Sequence, residues 1–429
     1  MHEDRSGEGE GGDRRPANGR APTPGRRRFL KAAGSTAGLL ALAGCGSDGS
    51  GDGGDGGTAT SAPGSAREGA TATGTVPEPR TYGTDELYNI EEWRGTGPLI
   101  DDRPGEYTGI SMLDLPDLRG ELTVYLGGGE GGLYENLMWR IEQTYRDFTV
   151  DVRKASSAQL ANTIIEEATA GSSPADIFWA IDAGSIGIVA ENDATVELPE
   201  RVVRSIPDTF HPTDQWVGTM GRARSIPYNT DEYSASDIPN DILAFPDDDR
   251  FQDAMGWAPT YGAFQSFITA MRLIDGEETA REWLNGMQQQ GIGAYDNELV
   301  VANQVASGEL DAGFGNHYYS RLVYEERPDA PLDLAFTQGD AGALINCSGT
   351  EIIRGTDNEE LAADFIHHLL SIEAQEFLGT RGYEYPLLPS VPPVGDLPRI
   401  DELNPPDLNL AELSDLEPTL QLLRETGVL

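Results

Sequence analysis

The stretch from Gly120 to Ala190 constrains the fold more than any other part of the chain. Leu122–Leu126 is an apolar run of strand length, and a glycine-rich turn, Gly127 to Gly132, follows it. Leu133, Leu137, Ile141 and Tyr145 then recur at every fourth position, which places them on one helical face. Phe148–Val152 reads as a second strand. Leu160, Ile164 and Ala168 form the inward face of a helix capped by Ser156 or Ser157. Ala175–Trp179 is a third strand and Ala183–Ala190 a short helix. Strands joined through helices must run parallel, so this alternation predicts an α/β fold with a parallel sheet covered on both faces.

Beyond Trp216 the pattern changes. Arg222–Asn229 and residues 341–349 read as two extended segments, separated by a helix-rich region with helices expected at Gly262–Ile274, Glu277–Gln289, Asn297–Ser307 and Tyr318–Glu325. Two long segments crossing between α/β halves predict a two-lobed clamp with a cleft. Lobe 1 is expected over 119–221 plus about 345–395, and lobe 2 over 230–340 plus about 396–429. Residues 222–229 and 341–349 are the expected hinge strands.

The N-terminal part carries different signals. Arg26-Arg27-Arg28 precedes a mild apolar run, Ala32 to Gly44, that is shorter than the roughly 20 residues needed to cross a bilayer. This arrangement reads as a twin-arginine export signal. Leu42-Ala43-Gly44-Cys45 resembles a lipoprotein cleavage box, which makes Cys45 the expected lipidated residue after removal of 1–45. Residues 46–80 lack large apolar side chains and are expected to act as a flexible tether, with 81–118 an extension draped on the fold. The chain is thus expected to be exported and lipid-anchored at the outer face of the cytoplasmic membrane. Cys347 is the other cysteine, so no disulfide framework or cysteine metal cluster is expected.

Charge excludes some partners. The 429 residues carry 72 acidic against 30 basic side chains, a formal net charge of −42, and the only lysines are Lys31 and Lys154. No basic surplus exists to neutralise nucleic-acid phosphates or to dock on anionic lipid. Acid enrichment with scarce lysine reads as adaptation to very salty water, where the Debye length is about 3 Å at 1 M.

Two places invite chemistry. Gly127, Gly129 and Gly132 satisfy G-x-G-x-x-G between strand and helix, with Asp147 or Asp151 as the acid expected further on. The alternatives are a dinucleotide site in an exported oxidoreductase, or a tight turn whose bare backbone lies at a cleft. Asn316-His317-Tyr318-Tyr319 is the second place. It follows an extended segment and opens a helix, a transition at which neighbouring side chains can converge. Two phenolates there would make a hard, anionic oxygen site for a small, highly charged cation, while the plainer alternative is a packed aromatic pair. Pro259–Phe264 also leads into a helix, whose free N–H groups attract an anion. His367 and His368 fall on an apolar helix and are expected to be structural. No nucleophile elbow, H-E-x-x-H or P-loop is present, so no enzyme is expected.

From about Leu118 onward the chain resembles the ferric-ion-binding branch of the extracellular solute-binding proteins of ABC importers. The stretches that carry the resemblance, in order, are Leu122–Leu126 with its glycine loop, Ser173–Phe178, Trp216–Asn229, Pro259–Phe264, Ser307–Glu309, Asn316–Tyr319, Asp340–Gly349 and Tyr383–Pro386. The resemblance implies a periplasmic-binding-protein fold with two crossing hinge strands, a monomer that closes on its ligand, and ABC permease subunits as partners. It implies Tyr318 and Tyr319 as ligands of transported iron(III). It also implies Thr260, Tyr261, Gly262, Ala263, Asn297 and Asn316 as contacts of a synergistic anion, carbonate or phosphate. The first-loop histidine of many such proteins is missing, with Gly129 and Glu130 in its place, and Ile181 with Asp182 stands where some members carry a glutamate. Glu130, Asp182 and Tyr261 are therefore further candidate metal donors. Sister branches of the same fold bind thiamine, polyamines or phosphonates, which remain alternatives.

Overall fold

A computed structural model describes residues 78–100, 103–128 and 132–429. The expected export signal, Cys45, the tether up to residue 77, Gly129 and Glu130 lie outside these residues.

The described chain begins with β1 (Arg80–Gly83), α1 (Ile90–Trp93) and β2 (Glu106–Gly109), β1 pairing antiparallel with β2. Next come β3 (Gly120–Gly127), α2 (Leu133–Thr144), β4 (Phe148–Ala155), α3 (Ser157–Ala170), β5 (Ile177–Ala180), α4 (Ala183–Glu191), β6 (Thr195–Val196) and α5 (Glu200–Val203). β3 runs parallel to both β4 and β5, as the alternation requires. Ser156 Oγ accepts from Gln159 N at 3.3 Å and starts α3. After β7 (Val217–Asn229) come β8 (Met255–Trp257), α6 (Gly262–Asp275), α7 (Glu277–Gln289), β9 (Gly293–Ala294), α8 (Glu298–Ala306), β10 (Ala312–Gly313), β11 (Gly315–Asn316), α9 (His317–Glu326) and β12 (Leu332–Ala335). The chain then runs through β13 (Ile345–Ile353), α10 (Glu359–Leu369), α11 (Ile372–Gly382), β14 (Tyr385–Pro386) and α12 (Leu416–Glu425).

One sheet joins these parts in the order β4-β3-β5-β13-β7-β10-β8-β9. β7 is the join, and all of its 13 residues are buried. Its N-terminal half pairs with β13, Arg224 and Ser225 pair with β11, and Ile226–Asn229 pair with β12. The two halves of the α/β fold therefore meet at the middle of β7. Side chains two apart on a strand share a face, so Arg222 and Arg224 project together at that point.

The return strand, β13, starts later than expected. The extended run expected over 341–349 opens with a 3-10 turn, Ala341–Ala343, and becomes strand only at Ile345. Asp340 imposes the turn: Oδ1 accepts from Ala343 N at 3.1 Å and from Thr337 Oγ1 at 2.5 Å, and Oδ2 from Ile242 N at 2.7 Å. A Cβ at Gly342 would lie 2.7 Å from Thr337 Oγ1, so the turn needs glycine there. The tail also differs from expectation. Before α12 reaches α6, where Thr419 and Thr269 hydroxyls meet at 2.8 Å, Leu410–Ser414 lies against α4. A Cβ at Gly187 would come within 2.7 Å of Ala411 Cα. The tail thus touches both halves.

Residues 78–118 clasp α11 through two buried acids of that helix. Glu373 accepts from Tyr88 N at 3.0 Å, Ser111 Oγ at 2.6 Å and Met112 N at 2.9 Å. Glu376 accepts from Arg94 Nε at 2.8 Å and Tyr107 OH at 2.9 Å, and pairs with Arg103. Buried carboxylates without such partners would be expensive. On α10, His368 Nε2 lies 3.0 Å from Tyr145 OH and His367 is buried beside it. Cys347 is a buried free thiol in β13. Among the described residues no helix is long and apolar enough to cross a membrane.

Candidate functional site

A cleft of about 520 Å³ opens where the halves meet. Ser156–Ala158, Asp182 and Ser185 line one wall, at the starts of α3 and α4. Tyr261–Ala263, Asn316 and Tyr318 line the other, at the starts of α6 and α9. Arg222 and Arg224 of β7 and Asn346 of β13 lie between them.

The short β11 runs straight into α9, and this junction brings neighbouring tyrosines together. The Tyr318 and Tyr319 ring centroids are 4.3 Å apart with planes at 42°. Tyr261, from the residue before α6, reaches the same place: its ring lies 6.0 Å from that of Tyr319, and the two hydroxyls are hydrogen-bonded to each other. Tyr319 is also hydrogen-bonded to Tyr318. Burial first, and then the neighbouring Tyr261, push the Tyr319 hydroxyl well above its ordinary pKa. Without a cation, the Tyr319 hydroxyl therefore keeps its proton near pH 7. A cation is what would draw that proton off.

The arginines are held differently. Arg222 donates from Nε to Glu384 Oε1 at 3.0 Å and from Nη2 to Tyr134 OH at 3.1 Å, and it also bonds Ile181 O. Arg224 is buried, pairs through Nη1 with Glu298, and reaches Asn316 Oδ1 at 3.4 Å. Its Nη2 makes no hydrogen bond. Glu298 also accepts from Asn316 N at 2.8 Å. The α6 start has no side-chain cap, and the space around Gly262 is open. Free N–H groups there and an unspent guanidinium N–H favour an anion beside the tyrosines.

Other expected residues are placed elsewhere. Asp182 lines the cleft, but its oxygens accept from Ser185 N at 2.8 Å and Ser185 Oγ at 3.0 Å, capping α4. Asn297 caps α8 by accepting from Val300 N at 3.0 Å, and Thr260 is exposed; neither lines the cleft. Of the glycine loop, Gly128 lines the cleft, and a Cβ at Gly127 would lie 2.3 Å from Ser157 Oγ. Gly128 thus brings bare backbone to the cleft, while residues 129–131 lie outside the described residues. Among the described residues no group of three His, Cys, Asp or Glu could hold a metal. Arg222, Arg224 and Glu298 carry no expected role in the sequence. The signal that could have found them is Arg-x-Arg inside an otherwise apolar strand.

The model of the bacterial extracellular solute-binding protein family matches residues 137–402. The chain belongs to that family. Among its curated relatives, the major ferric iron-binding protein of Neisseria meningitidis is 30% identical over 285 residues, 65% of this chain and 85% of the relative. Iron uptake protein A2 of Synechocystis is 28% identical over 300 residues, with 65% and 83% covered. Among solved structures, iron-bound HitA from Pseudomonas aeruginosa superposes with a TM-score of 0.62 at 26% identity, covering 72% of this chain and 99% of that one. An IdiA (FutA) protein of Trichodesmium, solved with iron and citrate, superposes at 0.61 with 22% identity and shares the fold. These neighbours are two-lobed binding proteins, not enzymes, so the dinucleotide-oxidoreductase alternative falls away. For this family member, the join at β7 is the interlobe position; Tyr261 and Tyr318 line the cleft there, whereas Tyr319 does not line it and meets them through their hydroxyls.

Proposed function

We propose that this family member captures iron(III) in the interlobe cleft and delivers it to the permease subunits of an ABC importer. The observation that carries this reading is the convergence of Tyr261, Tyr318 and Tyr319 through linked hydroxyls and close rings. Three phenolic oxygens are hard donors matched to a small trivalent cation. The α6 start, Arg224 and Asn316 are set beside them to hold a synergistic anion, carbonate or phosphate, that completes the coordination. Asp182 is spent as a helix cap, so it contributes structure and not a metal bond. The test is direct. Iron(III) added to purified protein should produce a visible phenolate-to-iron charge-transfer band, and that band should be lost in Tyr318→Phe/Tyr319→Phe. A colourless wild type, or unchanged colour in the double variant, sinks the assignment.

A second reading within the same fold is a phosphonate or another phosphate-like solute, favoured by the arginines and helix starts lining the cleft. Thiamine and polyamines fit less well, because they are organic cations that pair with carboxylates and, among the described residues, the carboxylate lining the cleft, Asp182, is already engaged by Ser185. Calorimetric titration of iron-free protein with a phosphonate separates the two readings.

We further propose that the chain crosses the membrane through a twin-arginine signal and is anchored outside the cell by lipid at Cys45. Residues 46–80 would tether a monomeric body, the 222–229 and 341–349 segments would serve as its hinge, and its acidic surface would suit brine. The support is the order of Arg26–Arg28, the apolar run and Leu42–Cys45 in the sequence. Cys45→Ala should shift the protein from the membrane fraction to the medium.

A further inference from the structure

The segment Tyr383–Pro386 lies behind the cleft, and the iron reading assigns it no part. It leaves α11 and enters β14, which pairs with β7 at Gly221 and Met220, in the first half of the sheet. Tyr383 adopts φ 57°, a left-handed conformation that is uncommon for a residue other than glycine. Its carbonyl oxygen lies 2.9 Å from Nε2 of His317, the first residue of α9 and the immediate neighbour of Tyr318. The Nδ1 of the same ring lies 3.3 Å from Ala223 O on β7. A neutral imidazole has one N–H to donate, and the shorter contact takes it, so Nε2–H donates to Tyr383 O.

The packing agrees. The fully buried His317 ring sits 4.4 Å from Tyr385 and stands perpendicular to Tyr318 at 5.7 Å. The Tyr383 hydroxyl is hydrogen-bonded to Glu325, at the far end of α9. Glu384, between the two tyrosines, accepts from Arg222, which lines the cleft. One short segment of the first half thus grips both ends of the helix that carries the tyrosine pair, and an arginine of the cleft as well.

We propose that His317 is a positioning residue that fixes the Tyr318–Tyr319 pair against Tyr383–Pro386 across the join of the two halves. This rests on the iron(III) reading of the tyrosines. His317 does not touch the metal; it sets where Tyr318 stands and transmits that position to the other half.

The test uses the full chain loaded with iron(III) added as its citrate complex. H317F keeps an aromatic ring and loses the donor, whereas H317Q keeps a donor. Loss of the visible band to excess chelator should be roughly tenfold faster in H317F, the equivalent of one buried hydrogen bond, and its band maximum should move. H317Q should release iron within about threefold of wild type. In the wild type, amide hydrogen exchange of peptides covering residues 381–387 should slow on iron addition, a readout that needs no variant to fold. Identical release and band position in H317F, or unchanged exchange at 381–387, overturns this proposal alone. A wild type that takes up no iron overturns the binding reading and this proposal with it.

Discussion

Glu298→Gln puts the buried charge of the cleft to a quantitative test. Glu298 accepts from Arg224 Nη1 and from Asn316 N at 2.8 Å. The substitution keeps the shape and removes the charge. Arg224 then has no carboxylate partner; its next acceptor, Asn316 Oδ1, is at 3.4 Å, and its Nη2 already makes no hydrogen bond. Breaking one side of a buried ion pair costs about 3–5 kcal/mol, and the amide oxygen that remains places this case near 3. Urea unfolding of the iron-free protein, followed by tryptophan fluorescence, reads the loss. Adding Arg224→Met removes the cation that lacks a partner and should recover about 2 kcal/mol. The two side chains are 4% and 0% exposed, so bulk salt screens the pair only weakly. The loss should persist in molar salt, where exposed pairs are screened within about 3 Å. A loss below about 1 kcal/mol, one that vanishes in molar salt, or a double variant no better than the single would refute the argument.

Four further outcomes follow from other sites. Asp182→Ala should cost about 1 kcal/mol as a lost helix cap and leave the iron charge-transfer band in place; a displaced band would make Asp182 a ligand after all. Burial pushes His367 down to about 3 and His368 down to about 4. Both groups bind protons more readily when unfolded, so stability should hold above pH 6.5 and fall below it by up to about 1.4 kcal/mol per pH unit for each, as read by thermal melts across pH. Glu351 has the opposite sign: it is wholly buried, neither oxygen has a hydrogen-bond partner, and burial raises its pKa well above the usual carboxylate range. Its contribution is fully present below the unfolded value and is lost as pH rises, so Glu351→Met should stabilise the protein at pH 8 by about 1–3 kcal/mol, and a destabilised variant there would show that the carboxyl has a partner. Iron uptake should strengthen with rising pH, because the Tyr319 hydroxyl is held protonated by burial and must lose its proton to bind; flat binding between pH 6 and 9 would exclude it as a ligand.

Much of this fold was legible because its signals are local. The helix periods after Gly132 and Ser156 and the two apolar strands beside them lie within a few residues of one another, and the structure has them in those places. The strand-to-helix change before Tyr318 and Tyr319 was legible for a related reason, because it falls within a few residues; both tyrosines stand inside α9, however, and only Tyr318 lines the cleft. What stayed hidden depends on partners far along the chain. Arg222 pairs with Glu384, 162 residues away, and Arg224 with Glu298, 74 residues away. Asp340 makes its turn partly through Ile242, 98 residues away, so 341–344 looked like strand. The role of His317 is hidden in the same way, because its acceptor, Tyr383 O, is 66 residues distant.

The net charge of −42 shows where such long-range placement matters most. An acidic chain invites the idea of a cationic ligand drawn in by its field. Yet the cleft is lined by two arginines, and its Asp182 carboxylate is bound to Ser185. The attraction for a cation would come from phenolic oxygens, of which that of Tyr319 is held protonated by burial. In molar salt the exterior charge would reach only about 3 Å, and selection would be made by contact. On the proposed reading, phenolic donors beside an anion held by the α6 start and Arg224 would discriminate by valence and hardness in a way that an acidic surface cannot.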